Sequence, residues 1–185
     1  MQRWRVPLGF VCAALFFLLS RPRPLTLAIG GAIALPGLAL RAWGTGHLRK
    51  NDALAVGGPY AYTRNPLYLG SFLIGVGFTI ASGRFVLGIV FAALFLGIYV
   101  PVMRVESATL GKLFGESYQR YVAAVPLFLP RLFPYRETTT DTARFDGGLY
   151  KRYREYQAAM GLVIAWGLLA LKAYISSKFK TEGWF

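Results

Sequence analysis

"NPLYLGSFLIGVGFTIASGRFVLGIVFAALFLGIYVPVM", residues 65–103, holds Arg84 as its single charged side chain. Apolar runs lie on either side of that arginine, and each approaches the roughly 20 helical residues that a bilayer core requires. The break between them, "SGR", is too short for anything but a tight turn. The stretch therefore reads as two membrane helices, about Pro66–Ala81 and Phe85–Met103, folded into an antiparallel hairpin. In lipid every backbone amide needs an internal partner, which leaves helices or closed barrels. No alternating ten-residue pattern points to a barrel, so the expected class is an all-α polytopic membrane helix bundle.

The rest of the chain fits that frame. It has 185 residues, 55% hydrophobic and 16% charged, with a mean hydropathy of +0.44. Three more spans are expected. Val6–Ser20 follows Arg3 and Arg5 like a secretory leader but is followed by "SRPRP" and no cleavage motif, and reads as a retained helix. Leu25–Trp43 carries Pro36, expected to kink it. Ala158–Ile175 carries Lys172, whose long side chain is expected to snorkel. These make five helices in a single integral membrane domain over 1–185. Residues 40–130 form its core, and 136–185 supply a polar loop, an interfacial helix and the fifth span.

The net charge of +13 would suggest nucleic acid in a soluble domain, but here the basic residues flank apolar blocks. With the N-terminus and the 41–66 and 104–157 segments on one side, that side holds fifteen of the 21 lysines and arginines. The positive-inside rule makes it cytoplasmic, in a bacterial inner membrane. Membrane lipids, not nucleic acid, are the expected surroundings. One cysteine and one histidine exclude an internal disulfide and argue against a structural zinc site. "RETTTDTARFDGG", residues 136–148, reads as a mobile loop. In "LYKRYREYQ", Tyr150, Tyr153 and Tyr156 recur at helical spacing among basic residues, suiting an interfacial helix.

Two polar segments reach the cytoplasmic mouth of the hairpin. "GPYAYTRNPLYLG", residues 58–70, makes a turn at Gly57-Gly58-Pro59, then offers Asn65 as a helix N-cap and Pro66 as first helical residue. The positive end of that helix, next to Arg64, suits a carboxylate or phosphate. Tyr60, Tyr62 and Tyr68 offer flat walls and hydroxyls. The plainer reading is that Arg64 and the tyrosines anchor the helix among headgroups. "RVESATLGKLFGESYQRYVAAVPLFLP", residues 104–130, leaves the hairpin where the first segment enters it. Arg64 and Glu106 are therefore expected to face each other across one mouth. A carboxylate at the bilayer edge is a functional candidate; its structural alternative is an ion pair with Arg104 or Arg64 that closes the hairpin.

Taken together, "GPYAYTRNPLYLG" and "E…L…FGESYQRYVAAVPLFLP" resemble the isoprenylcysteine carboxyl methyltransferase and phospholipid methyltransferase family of integral membrane enzymes. "LRAWGTGHLRKNDALAVGG", residues 40–58, is similar to the approach to this motif in bacterial members. Asn65 stands where the family has histidine, and Val105-Glu106 where it has a pair of glutamates. The resemblance implies transfer of a methyl group from S-adenosylmethionine to a lipophilic acceptor, a small molecule or a lipidated substrate. It implies Arg64 and Glu106 as catalytic residues. The cofactor would be held by His47, Lys50, Gly58, Pro59, Tyr60, Arg64, Asn65, Pro66, Tyr68, Gly70 and Glu106, and the acceptor head by Arg41 and Trp43. The acceptor group is left open among carboxylate, amine, hydroxyl and thiol, as is the oligomeric state. Two alternatives stand beside this reading: a sterol-reductase-like enzyme using NADPH, and a non-enzymatic membrane scaffold or lipid-binding protein in which Arg64 and Glu106 merely staple the hairpin.

Overall fold

A computed structural model describes residues 13–49, 53–136 and 144–181. Helix α1, seen over residues 13–19, is followed by α2 (Pro24–Thr45), α3 (Pro66–Ala81), α4 (Phe85–Ala124), α5 (Gly147–Arg152) and α6 (Tyr156–Thr181). A single 3₁₀ turn, Gly58–Ala61, interrupts the α2–α3 connection. Three helices, Pro24–Thr45, Phe85–Ala124 and Tyr156–Phe179, are long and apolar enough to cross a membrane, and Pro66–Ala81 is a shorter apolar helix. The protein is an all-helical membrane bundle; the start of the expected first span, residues 1–12, lies outside the described residues.

The hairpin forms where the sequence places it. Pro66 opens α3 at a position where its missing N–H costs nothing, and Gly83, at φ +62, turns the chain into α4. Helices α2 and α3 then run antiparallel with almost no side chain between them. A Cβ on Gly37 would lie 2.7 Å from the Gly70 carbonyl oxygen, and one on Gly77 would lie 2.5 Å from that of Gly30. Two glycines seven residues apart on each helix thus meet their counterparts, the small-residue packing that lets membrane helices approach without a hydrophobic drive.

Helix α2 runs on through Pro36. Two expectations need correction. Helix α4 continues well past Met103 to Ala124, interrupted only by the non-helical dihedrals of Gly115 (φ 50). Hydropathy falls at Met103 because the helix leaves the bilayer there, not because it stops. The tyrosines of 150–156 do not share one helix: α5 ends at Arg152, and Arg154, at φ 54, turns the chain before α6. The Lys172 ammonium donates to the carbonyls of Phe17 and Leu18 and to Ser20 Oγ, and so caps the last turn of α1.

The alternation of helices sorts the connections to two ends. At one end the α1–α2 and α3–α4 turns touch, with Arg21 N donating to Ser82 O at 2.7 Å. At the other end lie residues 46–49 and 53–65, the distal part of α4, and residues 125–136 and 144–155. Glu106 is 21 residues along α4 from its first residue, Phe85, about 32 Å at 1.5 Å per residue. That distance matches the hydrocarbon thickness, so Glu106 stands at the membrane's edge.

Candidate functional site

The 58–65 turn is built by hydrogen bonds to a distant strip of chain. Arg64 N donates to Pro126 O (3.0 Å), Arg131 N to Tyr62 O (2.9 Å) and Tyr135 N to Ala61 O (2.9 Å). Side chains join in: Thr63 Oγ1 donates to Phe128 O, and Tyr121 Oη to Tyr60 O at 2.7 Å. Beneath them Tyr118, Tyr121 and Val125 form a buried cluster. A loop that would be loose in water is thus locked, because its polar backbone groups have partners inside the fold. Asn65 holds the N-cap position but does not cap with its side chain. Its Nδ2 donates instead to Leu127 O at 2.9 Å, so the residue serves the clamp rather than the helix end.

Between this clamp, the end of α2, the start of α3 and the distal half of α4 lies a cavity of about 380 Å³. Of the residues expected at the site, it brings together Arg41, Tyr60, Arg64, Asn65, Pro66, Tyr68 and Glu106. The hairpin does bring Arg64 and Glu106 into one cavity, yet no ion pair joins them among the described residues. Glu106 accepts a hydrogen bond from Tyr68 Oη at 3.0 Å through Oε2. Arg64 makes one long contact, Nη1 to Ser107 Oγ at 3.5 Å, and its buried Nε has no partner. Burial, and then the negative charge of Glu106, push the Tyr60 phenol well above its ordinary range, so it remains a neutral donor.

The other expected residues that are described sit outside this cavity. His47 is buried, its Nδ1 2.9 Å from Trp43 O, beside a separate small void of about 60 Å³. Its ring also explains Gly58: that residue has φ +56, and a Cβ there would come within 2.6 Å of the imidazole. Trp43 packs against His47 and Tyr62. Pro59 is buried in the 3₁₀ turn. Gly70 lies in the helix seam, where a Cβ would be 2.6 Å from Gly37 O and from Arg41 Cγ. Lys50 lies outside the described residues.

Arg41 lines the cavity but is fully engaged. Its Nε and Nη2 grip Glu155 at 2.5 and 3.1 Å, and Nη1 donates to Ser71 Oγ at 2.5 Å and to Leu67 O at 3.5 Å. A guanidinium with its fork closed on a carboxylate has little left for a ligand. Sequence reasoning also missed Arg49, Ser107, Tyr118 and Tyr121 in the cavity wall. Val105, the position read against the family's glutamate pair, is 68% exposed, whereas its neighbour Ser107 faces the cavity. No cluster of three or more metal-ligand side chains occurs among the described residues.

The cavity can therefore hold one polar organic molecule with an anionic end near Arg64 and a donor near Glu106, between phenol walls. Its volume falls within the roughly 300–1,000 Å³ of small-molecule sites.

The profile of the phospholipid methyltransferase family matches residues 28–117. The cobalt-zinc-cadmium resistance protein CzcN of Cupriavidus metallidurans is 35% identical over 149 residues, covering 75% of this chain and 67% of its own length. The protein-S-isoprenylcysteine O-methyltransferase of Schizosaccharomyces pombe is 33% identical over 81 residues, 44% of this chain and 34% of its own. The nickel-cobalt-cadmium resistance protein NccN of Alcaligenes xylosoxydans xylosoxydans is 34% identical over 92 residues, with 50% and 43% covered. The chain thus spans only a third to two thirds of the length of these relatives. No solved structure matches. With the hairpin, Arg64 and Glu106 inside the matched residues 28–117, and the CzcN protein of Cupriavidus metallidurans matched over two thirds of its length, the chain belongs to the phospholipid methyltransferase and isoprenylcysteine carboxyl methyltransferase family of membrane proteins.

Proposed function

We propose that this protein transfers a methyl group from S-adenosylmethionine to a lipophilic acceptor held in the membrane, and that the cavity at the Arg64 end of the bundle is where it does so. The observation that carries the reading is the buried, unpartnered Nε of Arg64 in a cavity shared with Glu106. A buried donor without a partner is costly, commonly 1–3 kcal/mol and more when charged, unless a ligand or water completes it. The residues present fit the cofactor: Arg64 and the start of α3 for its carboxylate, Glu106 Oε1 for its amine or ribose hydroxyls, and Tyr60 and Tyr68 for the adenosine face.

When bound, S-adenosylmethionine supplies a methyl group already activated on a sulfonium, so the protein's task is alignment and exclusion of water. Tyr68, by donating to Glu106, fixes the carboxylate at the mouth. The 126–135 strip holds Arg64 from behind through its backbone N–H. An acceptor enters sideways from the bilayer while the cofactor enters from the water. Carboxylate acceptors need no base; an amine, hydroxyl or thiol does, and Glu106 is the one carboxylate in the cavity wall among the described residues. The charge asymmetry supports reading the cavity as facing the cytoplasm, with the protein in a bacterial inner membrane.

The test uses purified protein in vesicles of a bacterial total lipid extract, given methyl-labelled S-adenosylmethionine or, separately, NADPH. The expected result is label in the organic extract, absent with Glu106→Ala. NADPH consumption without label would overturn the proposal in favour of a reductase.

A further inference from the structure

Ser107 and Tyr118 lie on either side of the Gly115 break in α4, and both face the cavity. Their hydroxyls are 2.8 Å apart, and Arg64 Nη1 reaches Ser107 Oγ at 3.5 Å. A count of protons shows what this arrangement withholds. Each hydroxyl owns one hydrogen, and the bond between them consumes one of the two, whichever donates. Two other helical hydroxyls return their proton to a carbonyl one turn back, Thr109 to Val105 O and Ser71 to Leu67 O. Neither Ser107 nor Tyr118 does so. Arg64 cannot accept the spare proton, since guanidinium only donates. The wall therefore carries two unspent donors side by side, one hydroxyl proton and the N–H of Arg64 Nε, with a positive charge and no carboxylate paired to it.

Nothing but an acceptor, preferably a charged one, satisfies such a group. The neighbouring residue toward the other side, Glu106, has the opposite character, with Oε2 taken by Tyr68 and Oε1 free. An anion-seeking wall and a cation-seeking carboxylate lie on adjacent residues of one helix, which is the layout for an aminocarboxylate.

We propose that Ser107 and Tyr118 are positioning residues which, together with Arg64, cradle the carboxylate of the cofactor's methionine moiety, while Glu106 takes its ammonium group. The inference rests on the S-adenosylmethionine reading above and deepens it. It assigns the selectivity for an intact amino acid end to a serine-tyrosine pair, with Ser107 in the cavity beside the single glutamate.

The test compares binding of S-adenosylmethionine and of its decarboxylated analogue to detergent-purified protein by calorimetry, for wild type, Ser107→Ala and Tyr118→Phe. Losing a hydrogen bond to a charged group costs roughly 1.5–3 kcal/mol, a weakening of about 10- to 100-fold. Ser107→Ala is expected to weaken S-adenosylmethionine by that factor, and Tyr118→Phe, whose hydroxyl only orients Ser107, by about fivefold, with the decarboxylated analogue within about twofold of wild type in both. Equal weakening of both ligands, or of neither, overturns the cradle while leaving the cofactor assignment standing. Wild type that binds neither ligand overturns the cofactor assignment, and the cradle with it.

Discussion

Two of the arginines that line the cavity have opposite fates. Arg41, at the end of α2, spends its guanidinium inside the fold on Glu155, Ser71 and Leu67 O. Arg64, just before α3, makes a single long hydrogen bond and leaves Nε without a partner. The two sides of the cavity differ in the same way. On the Arg41 side, glycine pairs bring α2 and α3 together, and the ion pair ties them to the start of α6. On the Arg64 side, backbone and side-chain bonds hold the wall in place from behind while its cavity-facing donors stay unspent. Saturated polar groups make structure; unsaturated ones held rigidly make a binding site. The difference also assigns α6 a task the sequence left unknown: through Glu155 it buttresses the cavity from outside.

The sharpest way to break this contrast is to attack the Arg41 side. Removing one partner of a buried ion pair strands the other, at about 3–5 kcal/mol. Glu155→Ala is thus expected to lower the thermal midpoint in detergent strongly, whether or not ligand is present. An unchanged midpoint would mean the pair holds nothing. Next in size, Arg64→Ala should reduce S-adenosylmethionine affinity by about 100-fold, in line with loss of charged hydrogen bonds, with little change in the unliganded midpoint. Gly58→Ala, forced to φ +56 and against the His47 ring, should cost about 1–3 kcal/mol of stability measured by thermal melting. The smallest effect belongs to Tyr68→Phe. It frees Glu106 without removing a charge, and about 1 kcal/mol, or roughly fivefold in kcat/KM, is expected.

Much of this was legible along the chain, for identifiable reasons. Helix α3 could be bounded because Pro66 and the "SGR" turn mark both ends chemically. Arg64 and Glu106 could be brought to one mouth because a hairpin leaves little freedom. The far reach of α4 was not legible, since hydropathy reports where a helix leaves lipid and not where its backbone stops. The Arg41–Glu155 pair spans 114 positions, and no local spacing announces a contact of that kind. Asn65 showed its position but not its partner, because a capping residue and a clamp residue look alike until residues 126–128 are seen against it. His47, Trp43 and Gly70 belong to the family-like motif region yet serve packing, a distinction that depends on which way each side chain faces.

The most direct test of the contrast is a calorimetric titration of S-adenosylmethionine into wild type, Arg64→Ala and Glu155→Gln, each confirmed folded at the temperature used. Saturable binding to wild type and to folded Glu155→Gln, with none to Arg64→Ala, is the predicted result. Binding that survives Arg64→Ala but disappears in folded Glu155→Gln would contradict it, since the ligand would then be held by the arginine side that the structure uses for itself.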